Sequence, residues 1–234
     1  MTLTKIPYLT IIFNNTLSHH EIPAFRGAII GKVPSSLVLF HNHLDDSFRF
    51  RYPLIQYKTL NGKAAIICIG DGAMEIEHFF TNSDFRIQIG NREESLSVDN
   101  LWAGQWLIQT WKDSFQYKTC RWLPFNKTNY EIYRKSDGLV EQTQLLERIL
   151  VGNLLSMGKG LNHHFNDELT CTITSIDNPR TYPFKGVLLQ GFDITWKTNL
   201  FIPKYIGIGK GASFGFGTTT QNKHFNKSHD GNGQ

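Results

Sequence analysis

The segment Gly207-Ile208-Gly209-Lys210-Gly211-Ala212-Ser213-Phe214-Gly215-Phe216-Gly217 carries five glycines in eleven residues. Such a density is hard to explain as packing. Glycine adopts positive φ at little cost and lets main-chain N–H groups come close to an anion. The segment therefore reads as a shaped loop, to which Lys210 adds a cation and Ser213 a hydroxyl. Two phosphate motifs are excluded. A Walker loop needs Gly-Lys followed by Ser or Thr, and Lys210 is followed by Gly211. A dinucleotide fingerprint opens a helix, whereas residues 212–220 are rich in Gly, Phe and Thr and favour strand. What remains is Gly-x-Gly, five residues, then Gly-x-Gly (Gly207, Gly209, Gly215, Gly217), a loop suited to a phosphate backbone and leading into a strand. A tight glycine-rich turn beside a strand is the plainer alternative.

The 234 residues suffice for one large domain or two ordinary ones. The aromatic load is heavy, with 17 Phe, 8 Tyr and 5 Trp. Such rings build cores and also stack nucleobases; Trp102, Trp106, Trp111 and Trp122 read as inter-domain core, with stacking on RNA as the lesser alternative. A net charge of +4 names no partner by itself. Its distribution says more. Residues 47–63 hold Arg49, Arg51, Lys58 and Lys63 with no acid, and residues 110–135 hold six cations against Asp113 and Glu131. Lys204 and Lys210 add to this near the glycine loop. The three cysteines are far apart and form no Cys-x-x-Cys, which argues against a cysteine zinc site and fits a reducing compartment. With no signal pattern at the first residues and no apolar run of membrane-spanning length, the chain reads as cytoplasmic and free of membrane.

Along the chain, residues 8–13 read as strand, and Ile22, Phe25, Ile29 and Val33 recur at helical spacing after Pro23. Phe48-Arg49-Phe50-Arg51-Tyr52 alternates aromatic and basic, a strand pattern that continues through Ile55 and Tyr57 to Leu60. Asn61-Gly62 signals a type I′ hairpin turn into a strand over 63–69. A short helix over 73–80 and a last strand over 85–89 complete βαββαβ, the ferredoxin-like order. A looser copy follows, with strands over 115–123, 169–176 and 187–196, a helix over 139–157 whose apolar side holds Leu139, Leu146, Leu150 and Leu154, and a final strand near Phe214. The expected fold is α+β: two tandem ferredoxin-like (RRM-like) domains over 1–100 and 101–220, the second degenerate, then a disordered tail over 221–234.

Two such halves with a glycine-rich loop before the last strand resemble the CRISPR repeat-processing endoribonucleases of the RAMP superfamily. The resemblance rests on residues 207–217 and on Phe40-His41-Asn42-His43 followed by Phe50-Arg51-Tyr52-Pro53-Leu54. It implies cleavage of pre-crRNA to crRNA without metal or cofactor, leaving 2′,3′-cyclic phosphate and 5′-hydroxyl ends. The implied partner is CRISPR repeat RNA, with other CRISPR effector subunits as further potential partners; the oligomeric state is left open. The alternative within the same superfamily is a non-catalytic RNA-binding subunit of an effector complex.

The chemistry needs groups that move protons near neutrality, and histidine is the natural choice. His41 follows the apolar pair Leu39-Phe40, as the family's general acid tends to, while His43 lies nearer the aromatic strand; both stay candidates, with His41 ahead. The family often supplies a tyrosine from its first helix, but the matching stretch here is Gly27-Ala28-Ile29-Ile30. Tyr52, Tyr57 or the second histidine could stand in as base. Lys58 is the candidate for charge on the pentacoordinate phosphorus, with Arg49 and Arg51 as alternatives and as RNA contacts. Lys204, Gly207, Gly209, Lys210, Gly211, Ser213, Gly215 and Gly217 are the candidate phosphate-binding set.

Overall fold

The structure, a computed structural model, describes residues 4–41, 52–82, 84–177 and 179–221, with the backbone alone described for His41 and Asn82. Two compact units emerge. The first holds Met1–Ile108, Ser156–His164 and Gly211–Gly215, the second Gln109–Leu155, Phe165–Lys210 and Phe216–Gln234.

The first unit begins with β1 (Lys5–Thr16) and a 3-10 turn over His19–Glu21, followed by α1 (Ile22–Ile30) and α2 (Val38–His41). The turn is fixed by Glu21, whose carboxylate accepts from the Ser18 amide at 2.9 Å and from the Ser18 hydroxyl. Proline in the first turn of α1 loses no helical hydrogen bond. Next come β2 (Ile55–Leu60), β3 (Lys63–Ile69), α3 (Gly72–Glu75) and α4 (Glu77–Asn82). The β2–β3 connection is the expected tight turn, with φ +50° at Asn61 and +78° at Gly62. The chain closes with β4 (Arg86–Ile89), β5 (Arg92–Ser95) and β6 (Val98–Leu107). The sheet order is β2-β3-β1-β6, every neighbour antiparallel.

That order is the ferredoxin-like one, but its fourth strand is not the segment expected. Residues 86–89 pair instead with β5 in a separate two-stranded ribbon, and β6 takes the place beside β1. The strand signal in β6 is broken by Gly104, for a steric reason: a Cβ there would lie 2.7 Å from the Tyr8 hydroxyl. Tyr52 also differs from expectation, standing ahead of β2 and outside any strand. On the helical side of the sheet Phe13, Phe25 and Tyr57 are sealed from solvent and meet edge to face, with centroids 6.2 Å (Phe13–Phe25) and 5.9 Å (Phe25–Tyr57) apart.

The second unit contains β7 (Thr110–Trp122), α5 (Lys127–Lys135), most of α6 (Leu139–Gly160), β8 (Cys171–Ile176), β9 (Arg180–Phe184), β10 (Val187–Leu200) and β11 (Thr218–Gln221). Its order is β11-β7-β10-β8, with β9 paired to β10. Counting β7, β8, β10 and β11 as first to fourth, this repeats the 4-1-3-2 order of the first sheet. The second helix of the repeat is absent: residues 201–217, between β10 and β11, form turns and bridges that include the glycine segment. The final strand accordingly starts at Thr218, later than expected. α6 is held to the sheet by the Trp122 indole N–H, which donates to Asn153 Oδ1 at 2.9 Å, and by Glu147, which accepts from the Ile173 amide at 2.8 Å. Leu146, Leu150 and Leu154 are buried as the periodicity demands, whereas Leu139 at the helix start is 73% exposed. Trp106 and Trp122 are buried, but Trp102 is 51% and Trp111 37% exposed. No described helix is long and apolar enough to cross a membrane.

Phe25 links α1 to the sheet through two ring contacts. Phe25→Ala is expected to destabilise the protein by about 3–5 kcal/mol, read as a lower denaturation midpoint; a loss below about 1 kcal/mol would contradict this account of the core.

Candidate functional site

The site is built on β2. Strand alternation sends Ile55 and Tyr57 into the helical core, and Gln56 and Lys58 to the other face. Both polar side chains on that face are fully buried. Gln56 Nε2 donates to the Tyr52 hydroxyl at 2.9 Å and to the Pro53 carbonyl at 3.1 Å. The Lys58 ammonium lies 3.5 Å from the Ala212 carbonyl oxygen, a long contact to the glycine segment.

Residues 211–215 run beside β2 in the first unit. Tyr57 and Phe214 form a parallel bridge, and the Tyr57 amide donates to the Ser213 carbonyl at 3.3 Å. Arg26 from α1 completes this corner. Its guanidinium sits 5.1 Å from the Phe214 ring centroid and 5.9 Å from that of Tyr57, and it donates to the Phe40 carbonyl at 3.3 Å. Phe40 is buried in the core, and Glu75 accepts from the Leu39 amide at 2.9 Å. The backbone of α2 is therefore fixed up to the residue before His41. Arg26 is the site residue that motif reasoning missed. The signal was a lone charge in the apolar helix Ile-Pro-Ala-Phe-Arg-Gly-Ala-Ile-Ile.

The rest of the glycine segment belongs to the second unit. The Ile208 amide donates to the Gly217 carbonyl at 3.0 Å, the Gly217 amide to the Arg121 carbonyl at 3.2 Å, and the Lys210 amide to the Leu123 carbonyl at 3.2 Å. Glycine is required here for steric reasons. Gly217 has φ +62° and a Cβ on it would overlap the Ile208 carbonyl; Gly215 has φ +81° and a Cβ would lie 2.5 Å from Ile22 Cδ1. Packing thus explains a good part of a motif that looked hard to explain that way. Gly207, Gly215 and Gly217 are buried, while Gly209, Gly211 and Ser213 are half-buried and Lys204 and Lys210 exposed.

His41 ends α2, and its side chain, like His43, Arg49 and Arg51 entirely, lies outside the described residues. Tyr52 and Lys58 are interior. Burial raises the Tyr52 phenol above its ordinary pKa, with the Gln56 hydrogen bond acting weakly the other way. A phenol held protonated in this way is a poor proton acceptor at neutral pH. Burial lowers the Lys58 ammonium to about 7. A direct contact with RNA would require this ammonium to leave its place beside Ala212, so its position fits support of the glycine segment. The Tyr57 phenol, buried on the helical side, is raised as well.

Lys58 also makes a prediction about stability. Its native pKa lies below the unfolded one, so between about pH 7 and pH 10 the unfolded chain binds the extra proton. Unfolding free energy should therefore rise with pH across that window through this group. Lys58→Met, tested by denaturant titration at pH 7 and pH 9, should be the more stable variant at pH 7 and should show a shallower pH dependence. An unchanged pH dependence would place the ammonium in a solvated setting.

With the geometry established, comparison with known proteins becomes specific. The family model of the Cas6b N-terminal domain matches residues 4–105, and that of the Cas6b C-terminal domain matches residues 109–222. A crystal structure of Cas6b is 29% identical with TM-score 0.85, over 94% of this chain and all of the other. The crystal structure of a CRISPR RNA processing endoribonuclease, Cas6b, is 26% identical with TM-score 0.72 over the same shares. A RAMP protein that binds different RNA substrates shares the fold at TM-score 0.55 and 12% identity, over 94% of this chain and 99% of the other. An uncharacterized protein of Methanocaldococcus jannaschii is 36% identical over 97 residues, which are 42% of this chain and 65% of that protein. The chain thus spans about two thirds of the length of that relative. Both halves match domains of one family, in the family's order and across nearly the whole chain: the chain belongs to the Cas6b family.

Proposed function

We propose that this chain, a Cas6b-family endoribonuclease, cuts CRISPR repeat RNA, converting pre-crRNA to crRNA by attack of a ribose 2′-hydroxyl on the adjacent phosphorus. The observation that carries this reading is the pair of Cas6b domain matches over 4–105 and 109–222, supported by the likeness to a CRISPR RNA processing endoribonuclease. RNA brings its own nucleophile. The protein must align the 2′-oxygen with the leaving 5′-oxygen, accept one proton, return one, and offset charge on the phosphorus. The products are a 2′,3′-cyclic phosphate and a 5′-hydroxyl.

His41 or His43 serves as the proton-transfer group, with His41 preferred. Support comes from the anchoring of α2, where Arg26 and Glu75 hold the main chain at Phe40 and Leu39. The second histidine is the better candidate for the complementary role, because Tyr52 and Tyr57 are buried phenols of raised pKa. Arg49 and Arg51 are the preferred cations at the phosphorus, with Lys58 acting from beneath through Ala212. Lys204, Lys210, Ser213 and the main chain of Gly209 and Gly211 contact phosphates along the RNA, while the buried Gly207, Gly215 and Gly217 shape the loop that presents them.

His41→Ala and His43→Ala should each keep the fold and bind RNA within a few fold of the parent. One of them should slow single-turnover cleavage by about 10²–10⁴-fold. Cleavage should continue in excess EDTA and stop when a 2′-deoxy sugar precedes the cut. Full activity of the double histidine variant, or efficient cutting of the deoxy substrate, would refute the mechanism.

A further inference from the structure

A cleft of about 580 Å³ lies within the second unit, lined by α5, the β9–β10 hairpin and Lys210. Lys127, Arg180 and Lys210 bring three cations to it, and none of its lining residues is acidic. All three side chains are exposed, and among the described residues none is paired with a carboxylate. An unbalanced trio of this kind favours an anion.

Most of the remaining wall is apolar, with Asn126, Thr181 and Gln190 as its neutral polar members. Phe125 is buried at the cleft and supports Tyr130, whose ring centroid is 5.6 Å away and which is 38% exposed. Leu188, on the hairpin, is 72% exposed. A cation-rimmed cleft with an aromatic wall matches a nucleotide in both parts, phosphate on the rim and base on the wall. The volume falls within the range of about 300–1,000 Å³ common to small-ligand sites. A paired duplex presents its phosphates outward and keeps its bases stacked inside, so it would leave Tyr130 and Leu188 unused.

We propose that this cleft binds one unpaired nucleotide of the RNA, its phosphate facing Lys127, Arg180 and Lys210 and its base against Tyr130 and Leu188. The identity of the strand rests on the reading of the chain as an RNA-cleaving enzyme. The charge and the aromatic wall stand without it.

The test measures binding of two labelled RNAs, CRISPR repeat RNA and a short single-stranded oligoribonucleotide, to the intact protein across a salt series. Tyr130→Ala should weaken both by about tenfold, and Tyr130→Phe should restore most of that loss. The double variant Lys127→Gln/Arg180→Gln should flatten the salt dependence by at most about 0.7 unit of slope, the worth of one single-strand phosphate. Near-ultraviolet circular dichroism checks that each variant is folded. Unchanged affinity and slope in folded variants would overturn the proposal. So would an equal loss for a blunt RNA duplex, or binding of AMP as tight as that of the oligonucleotide. Should the parent leave repeat RNA uncut while the variants still lose oligonucleotide affinity, the endoribonuclease reading would fall and the cleft would stand.

Discussion

Main chain packed against main chain is the constraint on which the site depends. Between β10 and β11 the backbone folds back so that the amide of Ile208 reaches the Gly217 carbonyl and the amide of Gly217 reaches that of Arg121. The register of β11 follows at once, because Thr219 donates to the Ile206 carbonyl and Tyr205 to that of Thr219. No side chain fits at Gly217, and none fits at Gly215 without displacing Ile22. The same close approach leaves Lys210 exposed at one point of the segment and sets Ala212 over a buried lysine at another. A loop shaped by its own steric limits is thereby closely packed where it touches protein and cationic where it meets solvent.

The charges of this chain fall into two classes that sequence does not separate. Lys204, Lys210, Lys127 and Arg180 are exposed and can meet phosphate with little loss of hydration. Lys58 and Arg26 are turned inward. Lys58 carries the cost of burial, visible in its lowered pKa, and Arg26 spreads its charge over two ring faces and one carbonyl. Both act on structure next to the proposed chemistry: one beneath the glycine segment, the other at the end of α2.

How far the sequence could be read depended on range. The alternation and the Asn-Gly turn placed β2, β3 and their hairpin, because turn chemistry and the alternation of residue types are local signals, even though both faces of β2 are buried. The fourth strand of the first sheet was misplaced, since Gly104 breaks the pattern of β6 for the sake of Tyr8, a partner 96 residues away. α5 was hidden by a surface-exposed composition and is announced only by Asn126, which accepts from the Asn129 amide. β9 carries Pro183, which removes a ladder donor, and among the described residues it pairs on β10 alone. Lys58, the candidate for charge on the phosphorus, is fully buried, because alternation tells which face a residue takes and cannot tell what covers that face. The candidate residues that a motif could point to were those whose signal is local in sequence, such as Lys210. Arg26 acts across three elements and had no motif to reveal it.

The central claim is that RNA is cut by its own 2′-hydroxyl under the control of protein side chains, and the product ends record this directly. Mass spectrometry of the two fragments of cleaved repeat RNA should find a 2′,3′-cyclic phosphate on the upstream fragment and a 5′-hydroxyl on the downstream one. A 5′-phosphate on the downstream fragment, with a 3′-hydroxyl upstream, would mean that water attacks the phosphorus and would contradict the account.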